Sequence, residues 1–130
     1  MSAWSKRPLV LLAEDEPDIR RLVATLLERW GYEVAAAASG DEALALAAAR
    51  PPALAILDVS IPGPNGIEVT RRLRSDDDVP VILLTAHAGD RSAAEAVLAG
   101  ASGLLTKPFR AQALRKAIWS VLPPSPEAAA

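Results

Sequence analysis

The feature that most constrains the fold is a fivefold alternation of short apolar runs with longer segments of helical periodicity. In the first helical segment, for example, Ile19, Leu22, Val23 and Leu26 recur at the spacing of one helix face. The apolar runs, which predict strands, lie at 9–13, 32–37, 54–57, 81–84 and 104–106. The helical segments lie at 17–30, 39–50, 67–74, 90–99 and 110–122.

Five strands alternating with five helices predict an α/β protein, because right-handed βαβ units place parallel strands in one sheet with helices on both faces. We expect a doubly wound, five-stranded parallel sheet of (βα)5 type. The strand order 2-1-3-4-5 is adopted from flavodoxin-like folds, which share this architecture. Residues 1–122 are predicted to form one domain, followed by a tail rich in proline and alanine at 123–130.

Composition and charge exclude several classes of function. The chain has no cysteine, which rules out disulfides, thiolate catalysis and zinc held by cysteine. A net charge of −2 argues against nucleic-acid binding. The apolar run at 9–13 is too short for a secretory signal or a membrane helix. We therefore expect a cytoplasmic protein that binds neither a membrane nor nucleic acid directly.

Polar residues follow directly after four of the five apolar runs. Glu14 and Asp15 follow the first, Asp58 the third, Thr85 the fourth and Lys107 the fifth. In open parallel sheets, ligands bind outside the carboxyl ends of the strands. Because strands 1, 3, 4 and 5 are neighbours in the expected order, these five side chains should meet in one crevice.

The chemistry of this set suits phosphoryl transfer. Clustered carboxylates repel each other and need a counter-charge, which Mg²⁺ supplies through oxygen ligands, with Mn²⁺ as an alternative. Asp58 stands alone after the central strand and is the expected nucleophile, whereas Glu14 and Asp15 form a pair suited to metal. Taken singly, an acid at a helix start, a capping Thr85 or a turn Lys107 would be unremarkable. Their coincidence at four strand ends carries the prediction.

Four sequence stretches match a known family: LLAEDEP at 11–17, LDVSIPGPNG at 57–66, LLTA at 83–86 and TKPF at 106–109. Through them the chain resembles the receiver domains of bacterial two-component response regulators over residues 9–122. The resemblance implies that Asp58 takes a phosphoryl group from a histidine kinase or a histidine phosphotransfer protein. A change of conformation would then control a downstream protein target or a fused output domain, and phosphorylation-dependent homodimerisation is left open.

The resemblance also assigns roles at the site. Asp15 would be a direct metal ligand and Glu14 a ligand through water, and the backbone carbonyl of Ser60 would complete the metal site. Thr85 and Lys107 would contact the phosphoryl oxygens. The peptide bond after Lys107 is expected to be cis.

Two further positions concern the conformational switch and the lifetime of the phosphorylated state. The family usually has a tyrosine or phenylalanine three residues before the lysine, where this chain has Leu104. We therefore hypothesise that switching relies on Thr85 and the loop after strand 4. His87 and Ser60 flank the approach of the hydrolytic water in the family, and they are candidates for tuning dephosphorylation.

Three alternatives stay open at this point. A haloacid-dehalogenase-like phosphatase would need a second aspartate at the position of Ser60. A flavodoxin-like nucleotide-binding module would have to bind phosphate after strand 1, where the acidic residues of this chain would repel it. A degenerate receiver would bind partners without phosphorylation. We expect no enzyme activity beyond self-phosphotransfer and autodephosphorylation. In the family, the surface around helix 4, strand 5 and helix 5 is the common output face. Here that surface would fall at 90–122 and include Trp119, which is either an exposed contact residue or part of the packing.

Overall fold

The computed structural model describes residues 7–76, 78–86 and 90–123, without side-chain detail at 90–94. The predicted tail falls largely outside these residues, at 124–130. Five strands alternate with five helices. In chain order they are β1 (Leu9–Ala13), α1 (Pro17–Arg29), β2 (Glu33–Ala37), α2 (Gly40–Ala49), β3 (Leu54–Asp58), α3 (Gly66–Asp76), β4 (Val81–Thr85), α4 (Asp90–Ala99), β5 (Gly103–Thr106) and α5 (Ala111–Val121).

The strands form one parallel sheet in the order β2-β1-β3-β4-β5, which confirms the predicted topology. Leu12 pairs with Ile56 across β1 and β3, and Leu57 pairs with Leu83 across β3 and β4. Every residue of β1, β3 and β4 is buried. Continuous apolar runs are therefore what these strands require, because helices cover both of their faces.

Alternate residues along each strand point to opposite faces of the sheet and belong to two separate hydrophobic cores. Leu11 and Leu57 point to the face covered by α2, α3 and α4. Leu12 and Ile56 point to the face covered by α1 and α5. This alternation follows from the two-residue side-chain period of a strand. The two cores hold the sheet between its helical layers.

Local sequence signals account for the starts of α1 and α2. Pro17 occupies the first turn of α1, as its fixed φ and missing N–H favour. Ser39 caps α2 by accepting a hydrogen bond from the Glu42 amide at 3.1 Å, and the Glu42 carboxylate accepts one from the amide of Ala38 at 2.8 Å. The two bonds resemble a capping box in which the second bond goes to the amide one residue before the cap.

Two surface features bear on the predicted output face. Trp119 is 40% exposed, and the Arg115 guanidinium lies 5.0 Å from its ring centroid, within cation–π distance. On α4, Leu98 is also exposed. In the described part of the chain, no helix is long and apolar enough to cross a membrane.

Candidate functional site

The predicted polar residues meet at the carboxyl edge of the sheet. Asp58 and Thr85 are the last residues of β3 and β4, and Glu14 follows directly after β1. All three are buried, whereas Asp15 is exposed. The neighbouring positions of β1, β3 and β4 in the sheet bring these residues together, as the sequence predicted.

Lys107 reaches into this cluster from the end of β5. Its Nζ lies 2.5 Å from Asp58 Oδ2, to which it donates a hydrogen bond, and 2.8 Å from Glu14 Oε1. Its backbone amide donates to the carbonyl of Thr85 at 2.7 Å, which continues the β4–β5 pairing. The bond to Pro108 is cis, as expected. The lysine is therefore part of the site and not an exposed turn residue.

Glu14 is a fully buried carboxylate. Its Oε2 accepts a hydrogen bond from the Glu16 amide at 3.2 Å. Its Oε1 lies 2.8 Å from the Lys107 ammonium, an ion pair, and among the described residues it is the buried side-chain oxygen without an assigned hydrogen bond. Burial raises the pKa of Glu14, the hydrogen-bonding groups of Lys107 and Glu16 oppose that rise, and the charge of Asp58 adds to it. The buried oxygen is thus left with capacity for another positive partner.

Burial lowers the pKa of Lys107, but its contacts with Asp58 and Glu14 outweigh that effect, so the net pKa lies above the ordinary value. The ammonium is therefore charged at neutral pH. It provides a fixed cation between two carboxylates that would otherwise repel each other.

Asp58 is held at both carboxylate oxygens. While Oδ2 accepts from Lys107, Oδ1 accepts from the backbone amide of Ser60 at 2.9 Å. The Val59 amide, between them in the chain, donates to the carbonyl of Leu84 at 2.9 Å. These contacts fix both the rotation of the carboxylate and the start of the loop at 59–65.

The acidic cluster fits a metal ion. Glu14, Asp15 and Asp58 each offer one carboxylate oxygen, and these atoms all lie within 4.8 Å of one another. The buried Glu14 Oε1, which has no directed hydrogen bond, is the observation that favours a cation here. Oxygen donors in this number suit a hard divalent cation.

Of the two residues predicted to affect switching and dephosphorylation, the structure describes Leu104 but not His87. Leu104 is half-buried and packs against the core on the α2–α3–α4 face, opposite Leu83 of β4. His87 lies outside the described residues. Arg20, which the sequence did not single out, lies beside the site, and its Nη1 donates to the backbone carbonyl of Glu14 at 2.9 Å. Its only sequence signal is its place in the first turns of α1.

Comparison with known proteins identifies the family of this chain. Residues 10–119 match the family model described as the response regulator receiver domain. The chain belongs to this family. It is similar to the chemotaxis protein CheY4 of Vibrio cholerae, at 34% identity and a TM-score of 0.84, covering 90% of this chain and 100% of that one. A putative response regulator from Chloroflexus aurantiacus has 35% identity and a TM-score of 0.83, covering 90% and 98%.

Among curated relatives, this receiver domain is 41% identical over 115 residues to the transcriptional regulatory protein AfsQ1 of Streptomyces coelicolor. It is 37% identical over 116 residues to the phosphate regulon regulator PhoB of Pseudomonas aeruginosa. These alignments cover 88% and 87% of this chain but 51% of each relative. The chain thus spans about half the length of the curated relatives it matches.

Proposed function

We propose that Asp58 accepts a phosphoryl group from a phosphohistidine of a histidine kinase or a histidine phosphotransfer protein. In this step the P–N bond of the donor breaks and a bond forms between phosphorus and an Asp58 carboxylate oxygen. The supporting observation is the buried Asp58 carboxylate, oriented by Lys107 on one oxygen and by the Ser60 amide on the other. A carboxylate held in a single orientation loses little entropy on reaching an attacking geometry.

Magnesium is the proposed cofactor, and when bound it neutralises charge on the transferring phosphoryl group. Glu14, Asp15, Asp58 and the backbone carbonyl of Ser60 would hold it. Lys107 supplies a second positive charge beside the phosphoryl oxygens, and Thr85 a hydroxyl donor. Because Lys107 already bridges Asp58 and Glu14, phosphorylation requires it to exchange a carboxylate contact for a phosphoryl contact.

The signal proposed here is a conformational change centred on Thr85. At the position where the family usually has an aromatic ring, Leu104 has no hydroxyl and packs against the core. We therefore assign the switch to Thr85 and the loop after β4. Structures with and without a phosphoryl mimic test this assignment, and an unmoved loop would contradict it.

This domain offers the phosphodonor protein a contact surface beside the site. An apolar groove of about 440 Å³ lies between α1 and the segment after β5, with Leu22 and Phe109 in its walls and Lys107 at its end. Leu22 is 60% exposed, so its contact area is available to a partner. A donor bound there would lie next to Asp58.

The proposed output is a downstream protein or a fused domain, and homodimerisation after phosphorylation is compatible with either.

The domain is proposed to act in the cytoplasm as a signalling phosphoacceptor, not as an enzyme with a separate substrate. Ser60 stands where an aspartyl phosphatase needs its second aspartate, which disfavours turnover of phosphate esters. Hydrolysis of its own acyl phosphate is the expected reaction, with His87 and Ser60 as the residues that set its rate. An unchanged phosphoryl lifetime in His87→Ala would remove His87 from this role.

Intact-protein mass spectrometry after incubation with a small-molecule acyl phosphate tests the proposal. One added phosphoryl group is expected with Mg²⁺ and none without it. Asp58→Asn should abolish the adduct, whereas Asp76→Asn, which removes an exposed carboxylate at the end of α3, should retain it. Folded wild-type protein that gains no adduct would favour the degenerate receiver instead.

A further inference from the structure

The loop at 59–65 touches the first residue of α2 through a contact that only glycine permits. The amide of Gly40 donates to the carbonyl of Pro62 at 2.9 Å. A Cβ at Gly40 would lie 1.9 Å from the carbonyl oxygen of Pro64 and 2.8 Å from its carbonyl carbon. Both of these atoms are backbone, so a side chain at this position requires the loop or the helix to move.

A second glycine holds the end of the same loop. The Gly66 amide donates to the Val59 carbonyl at 3.0 Å, which closes the loop on itself. A Cβ at Gly66 would lie 2.4 Å from the backbone oxygen of Asp58. The loop is thus anchored at its end against β3 and along its length against α2.

Ser60 lies inside this anchored segment. Its amide binds Asp58 Oδ1, and its carbonyl is the proposed metal ligand. Only the buried Ile61 separates it from Pro62, which Gly40 holds. To accept a Cβ at Gly40, the separation between that Cβ and the Pro64 oxygen must widen from 1.9 Å to at least 3.0 Å. A shift of that size, so close to Ser60, is large against the tolerance of a hydrogen bond.

We propose that Gly40 is a positioning residue for the phosphoacceptor site: by its close approach to Pro62 and Pro64 it holds the Ser60 backbone in place beside Asp58. The metal part of this inference rests on the proposed function, whereas the Ser60–Asp58 hydrogen bond does not. The backbone amide of Gly40 bonds to Pro62 and not to a site carboxylate, so we expect its effect to pass through the loop.

The test compares Gly40→Ala with Gly103→Ala. Gly103 is the control because a Cβ there would make one ordinary contact, 3.8 Å from Ile82 Cγ1. In metal-free protein, Gly40→Ala should shift the Ser60 amide resonance in a ¹H–¹⁵N spectrum. Calorimetric titration should show Mg²⁺ affinity weakened by about tenfold or more, the scale typical for residues that orient metal ligands. Gly103→Ala should match wild type in both.

A merely structural role predicts another result. Folded Gly40→Ala would then melt at a lower temperature, yet keep the wild-type Ser60 resonance and Mg²⁺ affinity, and the inference would be overturned. If Gly40→Ala does not fold, Gly63→Ala perturbs the loop between Pro62 and Pro64, the two residues that Gly40 approaches. Gly63 has φ +77°, where a side chain strains the backbone, and its Cβ would lie 3.2 Å from the Asp41 carboxylate oxygen and an ordinary 3.8 Å from the Asp41 amide nitrogen. Because the close atom ends a flexible, exposed side chain, we expect the variant to fold with a strained loop. A shifted Ser60 resonance supports the inference, and a wild-type one overturns it.

Failure of the proposed function can be distinguished from failure of the Gly40 positioning role. Wild-type protein that binds Mg²⁺ but gains no phosphoryl group would contradict phosphorylation while leaving the Gly40 comparison intact. Wild-type protein that is phosphorylated on Asp58, beside a Gly40→Ala variant with unchanged Ser60 resonance and Mg²⁺ affinity, would contradict the positioning role alone.

Discussion

Replacing Lys107 with methionine tests how strongly one cation stabilises the acidic cluster. Methionine keeps much of the aliphatic chain but removes the charge that lies 2.5 Å from Asp58 and 2.8 Å from Glu14. Two carboxylate charges within 4.8 Å of each other repel by about 3.5 kcal/mol or more at an effective dielectric near 20. Breaking a buried ion pair typically costs about 3–5 kcal/mol. Because the Lys107 side chain is 20% exposed, water screens part of this, and we expect a loss of about 2–3 kcal/mol at pH 7.

The loss should depend on Mg²⁺. The variant lacks the ammonium that competes with a metal, so it should bind Mg²⁺ more tightly and regain stability by mass action. Urea unfolding at pH 7, with and without saturating Mg²⁺, measures this, and the deficit should shrink by roughly half or more in Mg²⁺. Lys116→Met, at an exposed position of α5, is the matched control and should unfold like wild type in both conditions. An equal deficit with and without Mg²⁺ would refute the reasoning.

Three further predictions concern stability and pH. Because burial raises the pKa of Glu14, the folded state holds that proton more tightly than the unfolded state, so its contribution to stability falls as pH rises from 4.5 through the raised value. Glu14→Gln should lack this slope in metal-free urea unfolding, and parallel pH profiles would contradict the assignment. Ser39→Ala should lower the free energy of unfolding by about 1 kcal/mol through loss of the α2 cap, and an unchanged urea midpoint would argue against the cap. Leu12→Ala should cost about 2–5 kcal/mol, since Leu12 is fully buried, and a cost below 1 kcal/mol would show that the core collapses around it.

The sequence predicts the fold well because its signals are local and agree with one another. Continuous apolar runs of four or five residues leave little choice but buried strands, and the prediction matches β1 at both ends and stops one residue short of the ends of β3 and β4. The predicted second strand starts one residue too early. Tyr32 looks like a strand residue, but its amide donates to the carbonyl of Leu27 and completes the end of α1.

The residues of the site were predictable, but their contacts were not. Strand ends place Asp58, Thr85 and Lys107 at one edge for any sheet of this order. That Lys107 bridges Asp58 and Glu14 depends on side-chain conformation, which no spacing encodes. The approach of Gly40 to the loop joins segments more than twenty residues apart, and a glycine at a helix start has simpler explanations in the sequence.

The bridging lysine has a consequence for electroneutrality. With Glu14 ionised, the three clustered carboxylates and Lys107 sum to two negative charges, which one divalent cation balances. Phosphorylation would replace the single charge of Asp58 with a phosphoryl group carrying about −1.5 to −2 at neutral pH. Up to one negative charge would then lack a counter-ion, at a position where solvent screening is incomplete. That surplus would attract hydrogen-bond donors from Thr85 and the backbone around it, so the driving force for switching would be the site's own charge imbalance.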